Sequence, residues 1–342
     1  MNESFDQWLE RRQVEWRDGH VGIRELGTHA GHRRKWILPS SPKDAWEEGL
    51  WPGIRSGRAD SVQDYLDANN VQKHTGANNL KSSWVLCANL YFPFRETVGG
   101  KALIAGFLHD HVASEVESVH AVELEFASED ETLSPEKLLG EAGGSRGSGQ
   151  TSPDVAFIVN GGSGIVLTES KLAEHSFYEC SARTRKSTDR RPGNPDPSRC
   201  ENAQAVLANP ASQCHQAVWG RKYFEHLAPV ADRVAWSELT CCPAAHAGYQ
   251  LFRQQALAEG MAASGKYDLV ISCVSMDERN DALANSLSST GVTGIVDWER
   301  LFHGRARFAM FTHQQWVAWV RAHDTGSWQE WLAWVTTRYG FA

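Results

Sequence analysis

Two short runs separated by a pair of glycines constrain the fold of this chain more than any other feature. The runs are Ser152 to Phe157 and Ile165 to Lys171, and the glycines occupy 161–162. A two-residue hairpin turn needs positive φ angles, which glycine adopts without strain, so we expect the second run to fold back on the first. In that register Asp154 lies opposite Glu169.

The opposed carboxylates of this hairpin predict a cation. Two carboxylates directly across a strand pair repel each other and weaken the sheet unless positive charge lies between them. Side chains alternate faces along a strand, so Lys171 shares the face of Glu169. The pattern therefore indicates a divalent metal site, whereas the alternative is the charged end of an ordinary hairpin.

The residues of the hairpin resemble a known signature. Pro153-Asp154 followed by Glu169-Ser170-Lys171 is similar to the PD-(D/E)XK motif of the restriction-endonuclease-like nuclease superfamily. Proline suits a strand entry, where its missing N–H does least harm. Further runs at Ser82 to Phe94, Tyr249 to Arg253 and Arg338-Tyr339 resemble a bacterial branch of restriction endonucleases.

The resemblance implies an α/β fold with an α-β-β-β-α-β core and a mixed central sheet. The sequence pattern supplies these elements in order. We predict helices over 78–94, 102–117 and 244–263, a strand from His120 to Phe126 and a strand from Tyr267 to Val274.

The chain divides into five predicted parts. These are an N-terminal extension (1–77), a first part of the nuclease core with the hairpin (78–174), an insertion containing cysteine and arginine (175–243), a second part of the core (244–296) and a helical segment rich in tryptophan (297–342). We expect the tryptophans of the last part to pack inward as amphipathic helices do; a base-stacking platform is the alternative.

The activity implied by the resemblance is metal-dependent cleavage of phosphodiester bonds, with DNA as the expected substrate of an endonuclease. Asp154, Glu169 and the backbone carbonyl of Ser170 would bind Mg²⁺ or Mn²⁺, because these ions prefer hard oxygen ligands. Lys171 would orient or deprotonate the attacking water. The alternative function is a non-catalytic nucleic-acid-binding protein that retains the fold.

Two further site residues follow from the resemblance alone. Related nucleases often carry an acidic residue ahead of the hairpin, and Glu125 occupies that place; a solvated strand face is its alternative. A glutamine on the following helix faces the active site in related enzymes, and Gln250 matches it. Gln254 stands where the RecB-like branch has tyrosine, which departs from that pattern.

The insertion is rich in cysteine. Cys180, Cys200, Cys214 and one of Cys241 or Cys242 could together hold zinc or an iron–sulfur cluster. No Cys-x-x-Cys pair supports this prediction, and free buried thiols are the alternative.

The insertion also carries the densest positive charge. We predict phosphate contacts from its basic run, which consists of Arg183, Arg185, Lys186, Arg190 and Arg191, with Arg199 close behind. A solvated surface is the alternative.

Composition limits the class of protein. With 342 residues, 41% hydrophobic and 22% charged, the chain is typical of soluble globular proteins. The net charge of −8 argues against nonspecific coating of nucleic acid. We expect no secretory signal and no membrane span, hence cysteines as thiols or metal ligands in a cytoplasmic protein. Whether the chain forms a homo-oligomer stays open.

Overall fold

A mixed five-stranded sheet forms the centre of the protein. The computed structural model describes residues 3–184, 186–188 and 191–341. Its strands are β1 (Gly27–His29), β2 (His32–Arg34), β3 (Val119–Leu124), β4 (Val155–Val159), β5 (Gly164–Lys171), β6 (Leu269–Met276) and β7 (Arg307–Thr312). The central sheet has the order β3-β4-β5-β6-β7, while β1 and β2 form a separate small hairpin.

The predicted hairpin is present in the predicted register. Val155 pairs with Thr168 and Val159 with Gly164, so Asp154 and Glu169 occupy the next positions along the two strands. The turn closes by a hydrogen bond from Ser163 N to Asn160 O (3.2 Å), with φ angles of 66° and 100° at the two glycines between them. The neighbouring strand β6 runs parallel to β5, which makes the sheet mixed.

Helices cover both faces of the sheet. Ahead of the insertion they are α1 (Phe5–His20), α2 (Val62–Ala68), α3 (Ser83–Tyr91), α4 (Val98–His111) and α5 (Pro135–Leu139). In the insertion they are α6 (Ser181–Thr184), α7 (Ala203–Ala208), α8 (Pro210–Gln213), α9 (His215–Val218), α10 (Tyr223–Leu227) and α11 (Arg233–Ser237). Behind it they are α12 (Tyr249–Ala263), α13 (Asp281–Ala284), α14 (His313–His323) and α15 (Gln329–Tyr339). None of these helices combines the length and apolar character that crossing a membrane requires.

Strand alternation divides the core into two layers. Val155 and Phe157 point to the layer formed with α1 to α4, α14 and α15, whereas Ala156 and Leu167 point to the layer formed with α12 and the insertion. This is the expected result of a side-chain period of two in strands that are covered on both faces. The elements from α4 to β6 follow the predicted order of helix, strand, hairpin, helix and strand. The architecture is compatible with a restriction-endonuclease-like fold.

The two ends of the chain differ from the predictions. Residues 297–342 are not wholly helical, because β7 pairs in parallel with β6 and extends the central sheet. The tryptophans behave as predicted: Trp298, Trp316 and Trp331 are buried in the core. At the N-terminus α1 was not predicted, although Ser4 and Gln7 form a capping box at its start.

The insertion contributes apolar residues to one layer of the core. Phe177, Val206, Leu227 and Trp236 are buried and join the layer that packs on α12. The short helices of the insertion are thus packed onto the central part of the protein.

Candidate functional site

A polar cavity of about 170 Å³ opens at the end of the hairpin. It is lined by the side chains or backbone of His74, Glu125, Gly147, Ser148, Gly149, Gln150, Thr151, Ser152, Asp154, Glu169, Gln250, Arg253 and Gln254. Four of the residues predicted from the sequence, at positions 125, 154, 169 and 250, thus meet around one space.

Asp154 directly precedes β4 and is fixed by the backbone of the opposing strand. Its Oδ2 accepts a hydrogen bond from Ser170 N at 2.8 Å. In an antiparallel pair the N–H and C=O of one residue point toward the same partner strand, so the Ser170 carbonyl also faces the Asp154 side. The hairpin therefore brings one carboxylate and one backbone carbonyl together.

Glu169 is held by two donors. Lys171 Nζ donates to Glu169 Oε1 at 2.6 Å, and Gln250 Nε2 donates to the same oxygen at 2.8 Å. The Lys171 and Glu169 side chains are 3% and 11% exposed. Gln250 comes from the first turn of α12, and its own Oε1 is buried with no hydrogen-bond partner among the described residues. The strand and the helix together orient this carboxylate.

Gln254, one turn further along α12, has a different role. Its Nε2 donates to the carbonyl oxygens of Leu167 (3.2 Å) and Cys273 (2.9 Å), which lie on β5 and β6. The residue bridges two neighbouring strands to the helix. This contact fixes the start of α12 over the hairpin and so supports the position of Gln250.

Glu125 enters the cavity through an unusual backbone conformation. β3 ends at Leu124, and Glu125 follows with a φ of 49°, a left-handed value that costs energy for a residue with a Cβ. Its N–H donates to Asp154 O at 3.0 Å, and its side chain is buried. The predicted strand from His120 to Phe126 is therefore too long at its end, because β3 stops before Glu125.

The electrostatic field of the cavity favours bound positive charge. Burial, followed by Glu169, raises the pKa of Asp154 well above its ordinary value. Burial also raises the pKa of Glu125, and Asp154 and Glu169 add to the shift. Burial alone would lower the pKa of Lys171, but Glu169 and the other nearby carboxylates outweigh it and raise the pKa. Lys171 is thus held as an ammonium ion.

The glycine-rich loop ahead of Asp154 forms one wall of the cavity and is tied to the frame at both ends. Arg146 Nε donates to Glu125 O (3.0 Å). Thr151 Oγ1 donates to the buried Glu141 (2.7 Å), and Arg253 Nε donates to Thr151 Oγ1 (3.0 Å). This loop is therefore fixed in place by charged side chains of distant elements.

Two cavity residues escaped the sequence predictions. His74 comes from the N-terminal extension, and burial lowers the pKa of its imidazole. Nothing in its neighbourhood in the sequence marks it. Arg253 lies on α12 one turn after Gln250, within the run that resembles the bacterial branch, so its helical spacing of three from Gln250 was the signal that could have identified it.

The structure describes only part of the basic run of the insertion. Arg185 and Arg190 lie outside the described residues. Arg183 is engaged by Glu201 (2.9 Å), and Arg191 lies over the ring of Trp219 (5.3 Å). Lys186 is exposed. Arg183 is therefore the least suited of the run to contact phosphate, because a carboxylate already neutralises it.

Four of the five cysteines in the insertion lie together, and the fifth lies apart from them. Cys180, Cys200, Cys214 and Cys242 line a second, small cavity. Cys241 does not line it; its sulfur lies with the ligand atoms of Glu201 and His246, all within 4.8 Å of one another. The structure thus associates Cys242, rather than Cys241, with the other three cysteines of the predicted metal site.

Comparison with known proteins places the chain in a family. Searches among curated proteins and among solved structures find no match to this chain. Residues 11–340 match a family model described as restriction endonuclease associating with ARP. Because this match covers nearly the whole chain, the protein belongs to the family of restriction endonucleases associating with ARP.

Proposed function

We propose that the protein is a metal-dependent DNA endonuclease whose active site is the cavity at the end of the β4–β5 hairpin. The observation that carries the proposal is the position of Glu169. Its carboxylate lies across from Asp154 and is held by Lys171 and Gln250 from two different elements. Membership of a restriction endonuclease family supports a nuclease, and hence a nucleic-acid substrate.

The residues of the cavity fit a divalent cation. Asp154 and Glu169 provide carboxylates, and the Ser170 carbonyl faces the same side. Burial, followed by the charge of Glu169, raises the pKa of Asp154, so a bound cation would offset the repulsion between the two carboxylates. An all-oxygen set of this kind suits Mg²⁺ or Mn²⁺. A bound ion of this type polarises a phosphate and lowers the pKa of a water molecule.

The side chains around the carboxylates have separate tasks. Gln250 orients Glu169 through its amide N–H. Lys171 is charged and nearly inaccessible to solvent, so it offsets negative charge that develops on the phosphate as the bond breaks. Its raised pKa supports this electrostatic role over that of a general base. Arg253 lines the same cavity as a further cation.

The experiment compares cleavage of supercoiled and linear DNA by wild type and Asp154→Asn, with Mg²⁺, Mn²⁺ or EDTA. We expect wild type to cut in the presence of either metal and not in EDTA. Asp154→Asn should reduce the rate at least about 100-fold, as expected when a group that stabilises transition-state charge is lost. Circular dichroism of both proteins establishes that the variant is folded.

The matched control is Glu330→Gln, which neutralises an exposed carboxylate on α15 away from the cavity. It should cut at the wild-type rate. Cleavage by Asp154→Asn at the wild-type rate, or cleavage by wild type in EDTA, would contradict the proposal. DNA binding without cleavage under every metal condition would favour a non-catalytic binding protein.

A further inference from the structure

The small cavity in the insertion is defined by four cysteines from four separate segments. Cys180 precedes α6, Cys200 lies in a 3₁₀ turn over Pro197–Glu201, Cys214 caps α9 and Cys242 lies in the segment that leads to α12. All four line a void of about 20 Å³. Three are less than 9% exposed, and Cys214 is partly buried.

A side-chain amide donates to one of the sulfurs. Gln216 Nε2 lies 3.3 Å from Cys180 Sγ. Hydrogen bonds to the sulfurs are a standard feature of metal–thiolate sites.

Cys241, the residue before Cys242, does not line the void. Cys242 N donates to Cys200 O at 2.7 Å, which fixes two of the four segments side by side. The sulfur of Cys241, one residue earlier, is directed instead toward Ser289 O at 3.9 Å. Of these two adjacent residues, Cys242 lines the void and Cys241 does not.

The spacing of the sulfurs distinguishes between two kinds of metal centre. A tetrahedral zinc ion with Zn–S bonds of about 2.3 Å would bring its four sulfurs to about 3.8 Å from one another. No three of these four sulfurs, all in the described part of the chain, lie mutually within 4.8 Å. In a cubane cluster each thiolate binds a separate iron, so the sulfurs lie further apart around a larger centre.

We propose that Cys180, Cys200, Cys214 and Cys242 bind a [4Fe–4S] cluster. Each thiol loses its proton as it binds one iron. The cluster cross-links four segments of the insertion and connects them to α12, because Gln216 Nε2 donates both to Cys180 Sγ (3.3 Å) and to Tyr249 OH (2.8 Å). Tyr249 precedes Gln250, so the cluster also stabilises the helical turn that reaches the carboxylate site. The proposal does not depend on the proposed nuclease function.

The test is the metal content of full-length protein purified without oxygen. Wild type should contain about four iron and four sulfide per chain, with broad visible absorbance and an electron paramagnetic resonance signal after reduction. Single Cys→Ser changes at positions 180, 200, 214 and 242 should each reduce the iron content at least about fourfold. Cys241→Ser and Cys87→Ser are the matched controls, since both residues are buried cysteines outside the void, and they should retain full iron content.

Three results would overturn the proposal. They are one zinc per chain in place of iron, no metal in folded wild-type protein, or an equal loss of iron in the four variants and in Cys241→Ser. The metal content of the wild-type protein tests the proposal even where a serine variant fails to fold. Asp154→Asn should keep its iron, so a failure of the nuclease proposal would leave this result unchanged.

Discussion

At the scale of single residues, the two donors on Glu169 differ in what their removal would change. Gln250→Ala takes away one neutral hydrogen bond that orients the carboxylate. Partners of metal ligands typically contribute about 10- to 100-fold to metal affinity or activity. We therefore expect the Mg²⁺ concentration needed for half-maximal cleavage to rise by about that factor, measured by Mg²⁺ titration of DNA cleavage.

Gln329→Ala, at an exposed position on α15, is the control for this measurement and should leave the Mg²⁺ requirement unchanged. An unchanged requirement in Gln250→Ala itself would show that its hydrogen bond to Glu169 has no part in metal binding.

His313, the first residue of α14, links the pH dependence of stability to the end of β5. The imidazole is fully buried, and its Nε2 must be the donor to Lys171 O (2.9 Å), because a carbonyl can only accept. Burial lowers its pKa to about 4; Asp277 and Glu174 face it and oppose the shift, whereas Arg279 adds to it.

The sign of the effect follows from the lowered pKa. The unfolded imidazole, with a pKa of about 6.5, binds a proton before the folded one, so this stabilisation is complete above that pH and is lost as the pH falls toward 4. The loss should reach about 3 kcal/mol. In His313→Asn the free energy of unfolding, measured with urea in EDTA, should fall less steeply across this range. His323→Asn, at an exposed site on the same helix, should retain the wild-type slope.

At the scale of elements, the hairpin turn fixes the register that opposes Asp154 and Glu169. Gly161 has a φ of 66° with open space around its Cα, so an added Cβ would be strained by the backbone alone. Gly161→Ala should lower the free energy of unfolding by about 1 kcal/mol. Gly99→Ala, in an open position of α4, should instead leave it unchanged or raise it by up to about 1 kcal/mol. Urea unfolding distinguishes the two, and equal effects would contradict the assigned turn.

At the scale of the whole molecule, one buried arginine joins the two ends of the chain. Arg338 on α15 is completely buried. Its guanidinium contacts Gly49 O, donates to Leu80 O (3.2 Å) and to Gln13 Oε1 on α1 (3.1 Å), and lies 4.4 Å from the ring of Trp16. A planar guanidinium group, with its several N–H donors, is needed to contact all these groups at once.

Arg338→Lys should therefore lower the free energy of unfolding by about 3 kcal/mol, because it leaves buried acceptors without partners. Denaturant unfolding followed by tryptophan fluorescence measures the loss. Arg321→Lys, a surface change on α14, is the control and should shift it by less than about 0.5 kcal/mol. A similar small shift in Arg338→Lys would mean that the terminal helices do not depend on this residue.

The hairpin, its register and the opposition of Asp154 and Glu169 could all be predicted from the amino-acid sequence. Strand alternation and glycine turns depend on residues that are close in the chain, so the hairpin can be recognised in the sequence pattern. The family resemblance added Gln250 and Glu125, and both line the cavity. Gln250 is held against Glu169, as the position of the helix after the motif strands suggested.

The distant groups that join the hairpin could be identified from the folded structure but not from the sequence. The left-handed backbone that turns Glu125 inward, the arrival of His74 and the choice of Cys242 over Cys241 depend on how segments far apart in the chain pack together. Strand β7 was likewise not predicted. It lies at the edge of the sheet and is stabilised by pairing with β6 rather than by the preferences of its own residues. Local preferences specify elements, whereas burial and hydrogen bonding between remote segments specify the site.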